Sequence, residues 1–154
     1  MKIHEYRCEL SWAGSTGKGY RAYDRTHQVR MPPAKAELDM ASDPSFLGDP
    51  ALPNPEQLLT AAATSCHMLS FLALAAREGL DVVAYRDEAL GRMPVSSQSM
   101  ETILLKPRVT IAGAVEEGQF RRLMHEAHET CFIARSLRSE ITVEPELEVL
   151  PARS

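Results

Sequence analysis

The sequence has few cysteines, no excess of basic residues and no long uninterrupted hydrophobic segment. Its three cysteines among 154 residues are too few for the disulfide scaffold of a secreted protein. Lys and Arg number 17 against 21 Asp and Glu, so the chain lacks the basic excess that is typical of nucleic-acid-binding proteins. We therefore exclude both classes.

The most apolar segment, residues 61–76, is interrupted by Ser65, His67 and Ser70. A membrane-spanning helix needs about 20 predominantly apolar residues, so this segment predicts a buried helix with no membrane partner. The N-terminal residues lack the apolar core of a signal peptide. We expect a cytoplasmic protein whose thiols are reduced at rest.

The remaining composition is that of an ordinary globular protein. Hydrophobic residues make up 44% of the chain and charged residues 25%, both close to the average for soluble domains. A chain of 154 residues suits one hydrophobic core. We therefore predict a single domain over residues 1–154.

Two helices are marked by their ends and their apolar faces. Asn54 is a suitable N-cap, Pro55 suits the first helical position, Gln57 completes a capping box and Gly79 is a C-terminal stop. Apolar residues surround this helix on almost every side, so we expect a central, fully buried helix. A second helix at about 116–130 has one apolar face, made of Phe120, Leu123, Met124, Ala127 and Cys131.

Alternating apolar residues predict the strands. They lie at 1–12, 20–31, 35–40, 81–93, 100–112 and 141–149. The order β-β-(β)-α-β-β-α-β predicts an α+β fold in which antiparallel strands pack on the helix that carries Cys66. Cys8 is expected on the inward face of the first strand, in the core.

Cys66 has two interpretations. A cysteine in an apolar helix most often serves packing, and burial keeps its thiol inert. A nucleophilic thiolate needs a nearby cation, and the helix offers no Lys or Arg within one turn of Cys66. His67 points about 100° away around the helix, so an activating cation must come from another element.

Cys131 ends the apolar face of the second helix, where core packing is again the plain interpretation. Two inward-facing cysteines on two helices could also form a disulfide if their Cα atoms come within roughly 7 Å. A peroxide-reducing thiol uses such a partner to convert its sulfenic acid to a disulfide.

Glu56 lies in the first turn of the helix, where a carboxylate favours the helix dipole. Capping alone would account for it. Ten residues of straight helix separate it from Cys66 by about 15 Å. If both serve one site, the helix must break between them or Glu56 must act across a dimer interface.

The histidines suggest a zinc site as an alternative. Cys66 and His67, together with the spacing His125-x-x-His128-x-x-Cys131, would supply nitrogen and sulfur ligands. Neither cluster has a CxxC or HExxH pattern.

Together these residues resemble the OsmC/Ohr family of thiol peroxidases, in one of its less-studied OsmC-like branches. The resemblance rests on the segment NPEQLLTAA from Asn54, on Ser65-Cys66, and on HETCFIARSL from His128. It implies an intertwined α+β homodimer with two active sites at the subunit interface. It also implies reduction of organic hydroperoxides, and in some members hydrogen peroxide, without haem, flavin or metal.

The resemblance further assigns roles to individual residues. Cys66 would be the peroxidatic cysteine and Cys131 the resolving one, with Glu56 orienting an arginine that stabilises the thiolate. The reductant would be a dithiol, either a lipoyl-type group or a small thiol.

The arginine is where this sequence departs from the family, because the loop at 42–53 contains none. Arg21 and Arg25 share a face of the predicted second strand, and Arg25 is the chosen candidate. The alternative function is a redox sensor or small-molecule-binding protein that keeps the fold and the thiols but does not turn over.

Overall fold

The computed structural model describes residues 1–154, which divide into two compact units, Met1–Leu58 and Leu59–Ser154. The first unit holds one antiparallel sheet in the order β1-β2-β3. Its strands are β1 (Glu9–Ser11), β2 (His27–Arg30) and β3 (Glu37–Met40), followed by a 3₁₀ turn at Pro44–Phe46. Val29 of β2 pairs with both Leu10 and Leu38 at the centre of this sheet.

The first two strands are much shorter than the sequence pattern predicts. In the loop between β1 and β2, side chains form hydrogen bonds with the backbone in place of the hydrogen bonds between strands that the pattern predicts. The Asp24 carboxylate accepts from the Thr26 N–H at 2.8 Å, and the Arg25 guanidinium donates to two carbonyls of the same loop. The prediction that Cys8 is a core residue is wrong, because Cys8 is exposed and β1 is exposed along its whole length.

Helix α1 (Pro55–Arg77) begins and ends where the capping residues predict. The Asn54 side chain accepts from the Gln57 N–H at 2.9 Å, and the Gln57 side chain accepts from the Asn54 N–H at 3.0 Å. This reciprocal pair is the capping box. At the other end Gly79 adopts a left-handed φ of 76°, and the Leu80 N–H returns to the Ala75 carbonyl.

The prediction that α1 is buried on every side is wrong for this chain by itself. Its buried residues form a single stripe at i, i+4 spacing, namely Ala63, His67, Phe71 and Ala75. By length and composition alone, with a mean hydropathy of 1.6, the helix could also cross a membrane. Such helices also occur as core helices of soluble proteins.

The second unit contains six strands and two further helices. These are β4 (Asp81–Arg86), β5 (Leu90–Arg92), β6 (Thr102–Leu105), β7 (Arg108–Ala112), α2 (Glu117–Thr130), α3 (Phe132–Ser136), β8 (Glu140–Val143) and β9 (Glu146–Leu150). They form two sheets, β4-β7-β9 and β5-β6-β8. The α+β class is thus confirmed, although the β6–β8 and β7–β9 pairs are parallel rather than antiparallel.

Each of the last three predicted strands is in fact two strands in different sheets. Pro107 and Pro145 stand at two of the breaks, where a residue without an N–H cannot continue the ladder. At the third break, between β4 and β5, the Asp87 carboxylate accepts hydrogen bonds from the Lys106 N–H at 2.7 Å and from the Thr64 hydroxyl of α1. The chain therefore crosses between sheets at these three points.

The main core of this unit lies between α1, α2 and the β4-β7-β9 sheet. The rings of Phe71 and Phe120 meet edge to face, with centroids 5.9 Å apart, and the same cluster includes Ile111 and Leu123. The buried face of α2 is the one that the sequence predicts. Around Ala63, a smaller cluster packs Ile103 and Leu105 of β6.

Two glycines form a matched pair for testing this description of the helices. A Cβ at Gly79 or at Gly118 would meet no atom within 4 Å, so backbone conformation alone decides the effect of alanine. We expect Gly79→Ala to destabilise the protein by about 1 kcal/mol, because its φ of 76° disfavours a side chain. Gly118→Ala, within α2, should stabilise by about 0.5 kcal/mol. Urea unfolding of both variants measures the two changes in the free energy of unfolding. If Gly79→Ala stabilised the protein, the left-handed conformation at the end of α1 would be contradicted.

Candidate active site

The structure brings together the two cysteines that the sequence singles out. Cys66 lies near the middle of α1 and is half-buried, whereas Cys131 lies between α2 and α3 and is 1% exposed. The two thiols are close neighbours, since the interaction with Cys66 raises the pKa of the Cys131 thiol. Two residues far apart in the sequence thus form one dithiol, with one sulfur more accessible than the other.

Local backbone geometry positions the Cys131 sulfur. Cys131 leaves the helical conformation, with φ −69° and ψ 115°, and serves as the N-cap of the short helix α3. Its Sγ accepts a hydrogen bond from the Ala134 N–H at 3.5 Å. Cys131 thus lies at the junction of α2 and α3, where it is buried.

Burial raises the pKa of the Cys131 thiol, and the contact with Cys66 raises it further. The N–H groups of Ala134 and Ile133 act in the opposite direction but do not overcome burial. Cys131 is therefore a protonated thiol at neutral pH, since an unperturbed cysteine already titrates near 8.5. A protonated thiol suits a residue that reacts with an electrophilic sulfur formed beside it, rather than a residue that acts as the initial nucleophile.

Alkylation should reveal this difference between the thiols. With iodoacetamide at pH 8, we expect Cys8 and Cys66 to be modified at least about tenfold faster than Cys131, because the thiolate is the reacting form and access is required. Peptide mass spectrometry gives the three rates. The Cys131 rate should rise only as the pH exceeds the ordinary thiol range. In urea all three rates should converge, and a fast Cys131 in the folded protein would contradict its burial.

Glu56 lies in the first turn of α1, as predicted. The helix runs without a break from Pro55 to Arg77, so the first of the two geometric options, a broken helix, does not occur. The rise of an α-helix places Glu56 about 15 Å along the axis from Cys66 of the same chain. The role assigned to Glu56 therefore requires a second chain.

Arg25 is not on a strand, because β2 starts only at His27. The argument that Arg21 and Arg25 share a strand face is therefore wrong. The Arg25 guanidinium donates to the carbonyls of Tyr23 at 2.6 Å and Tyr20 at 2.5 Å, and it stacks 3.9 Å from the Tyr23 ring centre. Arg21 is exposed. These contacts hold the Arg25 cation against its own loop.

His67 is the buried polar residue of the α1 stripe, with 1% of its surface exposed. Its Nε2 lies 3.4 Å from the Met124 sulfur, while its Nδ1 has no hydrogen-bond partner. Burial lowers the pKa of His67 to about 4, the charge of the nearby His128 lowers it as well, and Asp87 opposes both. The imidazole is thus neutral at pH 7.

The three-residue zinc ligand sets suggested by the sequence do not form. His125 is exposed and pairs with Glu129 at 3.7 Å, whereas Cys131 is buried. No group of three His, Cys, Asp or Glu side chains is arranged to hold a metal ion. Within one chain, the structure therefore does not assemble the zinc ligands that the sequence suggests.

Sequence reasoning missed three neighbours of this region. Met124 belongs to the predicted apolar face of α2 but also contacts His67. Thr64 and Asp87 bond each other and join α1 to the β4–β5 break. The polar Asp87-Glu88 pair inside an otherwise apolar strand pattern is the signal that could have indicated this break.

Comparisons with known proteins place this geometry in a family. Residues 48–146, more than half of the chain, match the family described as OsmC-like protein. A search of curated proteins found no match.

Solved structures agree in fold over nearly the whole chain. An OsmC-like protein of unknown function from Vibrio cholerae is 28% identical, with a TM-score of 0.82 over 94% of this chain and 100% of its own. An organic hydroperoxide resistance protein OsmC from Legionella pneumophila is 15% identical, with a TM-score of 0.68 over 96% and 99%.

A third structure, the organic hydroperoxide resistance protein OhrB of Bacillus subtilis, is 17% identical, with a TM-score of 0.61 over 94% of this chain and 98% of its own. At these identities the last two comparisons bear on the fold alone. With the family match and the paired cysteines on α1 and at the end of α2, they lead to one conclusion: the chain belongs to the OsmC-like protein family.

Proposed function

We propose that the protein is a cysteine-dependent peroxidase that reduces organic hydroperoxides, with hydrogen peroxide as a second substrate. The observation that supports this most is the contact between the thiols of Cys66 and Cys131. A thiol pair in contact can pass reversibly between a dithiol and a disulfide without large movements of the backbone. Two solved structures with a similar fold are named organic hydroperoxide resistance proteins, which supports the same substrate class.

The proposed reaction has three balanced steps. The Cys66 thiolate attacks the distal oxygen of ROOH, the O–O bond breaks, and the products are Cys66 sulfenic acid and, after protonation, the alcohol ROH. The Cys131 sulfur then attacks the Cys66 sulfur, and its proton leaves with the hydroxyl as water. A dithiol reduces the resulting disulfide by two successive exchanges and becomes a disulfide itself.

The difference in exposure between the two thiols supports this order. A hydroperoxide from solvent meets the half-buried Cys66 before the fully buried Cys131. The pKa of Cys131 is raised by burial, which keeps it a thiol until the sulfenic acid forms beside it.

A homodimer would complete the site in this proposal. Glu56 of one chain would orient the activating arginine, Arg25 or Arg21, next to Cys66 of the other chain. Two features favour a second copy as the partner. The α1 helix leaves Leu69 60% exposed, and the β1 strand leaves Leu10 67% exposed. Apolar surface of this kind is commonly covered by another protein chain.

Peroxide titration with thiol counting tests the proposal. Addition of one equivalent of cumene hydroperoxide to the reduced protein should lower the thiol count from three to one, leaving Cys8, and lower the mass by two hydrogens. With excess dithiol, dihydrolipoamide or dithiothreitol, hydroperoxide should be consumed over many cycles. One disulfide without turnover would favour the redox-sensing role. No disulfide at all would overturn the peroxidase and the redox-sensing functions.

A further inference from the structure

A pocket of about 230 Å³ in the second unit is lined by residues of α2, of β8 and of the connection from β8 to β9. None of its lining residues is a cysteine or takes part in the proposed reaction. A cavity of about 150 Å³ holds benzene, and a water-sized group takes up about 30 Å³ of liquid volume. The pocket therefore has space for one six-membered ring and roughly three further heavy atoms.

The polar lining of the pocket is basic. It consists of three side chains of α2, namely Arg121, His125 and His128. No Asp or Glu is among the lining residues. A guanidinium carries a permanent positive charge, and even a neutral imidazole has one N–H to donate. The pocket is therefore complementary to an anionic group.

Helix geometry decides which of these side chains can share one anionic group. Arg121 and His125 are four residues apart, so they are neighbours on the surface of α2. His128 lies seven residues from Arg121, about 10 Å along the helix axis, which is too far for both to contact one carboxylate. Arg121 and His125 thus form the anion-binding end of the pocket.

Both of these residues already have an acidic neighbour on α2. Arg121 Nε lies 3.0 Å from a Glu117 oxygen, and His125 Nε2 lies 3.7 Å from a Glu129 oxygen. All four side chains are more than half exposed, and exposed pairs at i, i+4 spacing contribute little to stability. The carboxylate of a ligand can therefore replace these glutamates with little loss.

The remaining lining of the pocket is apolar. It consists of Met124 of α2 together with Ile141, Val143 and Pro145. Ile141 and Val143 alternate along β8, so their side chains lie on the same face of that strand. Inorganic phosphate or sulfate would leave this apolar surface without a partner, whereas a ring would cover it.

The space and the lining together select a ligand. A carboxylate adds three heavy atoms to a ring, and its two oxygens match the paired N–H groups of a guanidinium. We propose that this pocket binds a small aromatic carboxylate, of which benzoate is the simplest. Its carboxylate would pair with Arg121 and His125, and its ring would pack against Met124 and Ile141.

Benzoate titration of the reduced native protein, labelled with ¹³C-methyl methionine, tests this proposal without peroxide. The NMR signal of the Met124 methyl group, assigned by its loss in Met124→Leu, should shift and saturate. We expect a Kd on the order of 1 mM, because so small a ligand makes few contacts. Benzamide has nearly the same shape but no charge, and it should bind at least about tenfold more weakly.

Two arginine variants form a matched pair for this test. Arg121→Gln should weaken benzoate binding at least about tenfold and leave benzamide binding unchanged. Arg122→Gln removes the same charge from the next position of α2, but Arg122 pairs with Glu78 and Glu126 and does not line the pocket. Its affinity for benzoate should stay within about twofold of the native value. Circular dichroism confirms that both variants are folded.

Three results would overturn the proposal. One is the absence of a saturable Met124 shift at benzoate concentrations about twentyfold above the expected Kd, as would occur if a second chain covered the pocket. Another is equal binding of benzoate and benzamide, which would mean that the carboxylate is not recognised. The third is equal weakening by the two arginine variants, which would assign the effect to overall charge. None of them bears on hydroperoxide reduction, which uses Cys66 and Cys131.

Discussion

Replacement of Cys66 by serine is expected to lower dithiol-dependent consumption of cumene hydroperoxide by at least about a thousandfold. The serine hydroxyl does not ionise at neutral pH and cannot take up the hydroperoxide oxygen as a thiolate does, so the nucleophile is lost while the shape is kept. The rate is followed by loss of hydroperoxide in a ferric–xylenol orange assay with excess dihydrolipoamide. Equal rates in the variant and the native protein would contradict the peroxidase function.

The other two cysteines supply the controls for this result. Cys8 is exposed, and the proposed reaction does not involve it, so Cys8→Ser should retain full activity. Cys131→Ser should still consume one equivalent of hydroperoxide per chain, because Cys66 remains, but should then stop as the sulfenic acid or a more oxidised form. Mass spectrometry distinguishes one added oxygen on Cys66 in this variant from the loss of two hydrogens in the native protein. Equal multiple turnover in Cys131→Ser would show that an external thiol resolves the sulfenic acid.

The variant Phe120→Ala should have the largest effect on stability. Phe120 is fully buried on α2, and its ring meets Phe71 of α1 edge to face at 5.9 Å. Removing it leaves a cavity between the helices and the β4-β7-β9 sheet, so we expect a loss of about 3–5 kcal/mol in the free energy of unfolding. Urea denaturation at a fixed protein concentration measures this loss.

Phe132 is the matched control for Phe120. It lies at the first position of α3, with 74% of its surface exposed. The same substitution, Phe132→Ala, should therefore cost less than about 1 kcal/mol. Similar losses in both variants would mean that the α1–α2 contact is not the main source of stability in this unit.

The ends of the helices were determined by the sequence, because local bonds decide them. The Asn54–Gln57 capping box and the glycine at 79 act within a few residues, and the structure confirms both. The apolar face of α2 follows from its 3.6-residue period, and Phe120, Leu123 and Ala127 are buried as predicted. The α+β class follows from the order of these elements.

The extents and partners of the strands depended on tertiary structure. Apolar alternation cannot tell whether a strand continues into the same sheet, and the breaks at Asp87, Pro107 and Pro145 send successive pieces to different sheets. The loop held by Asp24 and Arg25 replaces most of the predicted second strand in the same way. Side-chain bonds to the backbone, which depend on where the chain turns, outweighed the β pattern.

The candidate site shows the same distinction between what the local sequence determines and what tertiary structure determines. The sequence alone singled out Cys66 and Cys131, since each lies on an apolar helix face and the motifs around them resemble those of a thiol peroxidase family. Only the folded chain could bring the two thiols into contact, bury Cys131 so that its pKa rises, and place Met124 against His67. These effects depend on distance and on exclusion of water, and both are properties of packing between elements that are remote in the sequence.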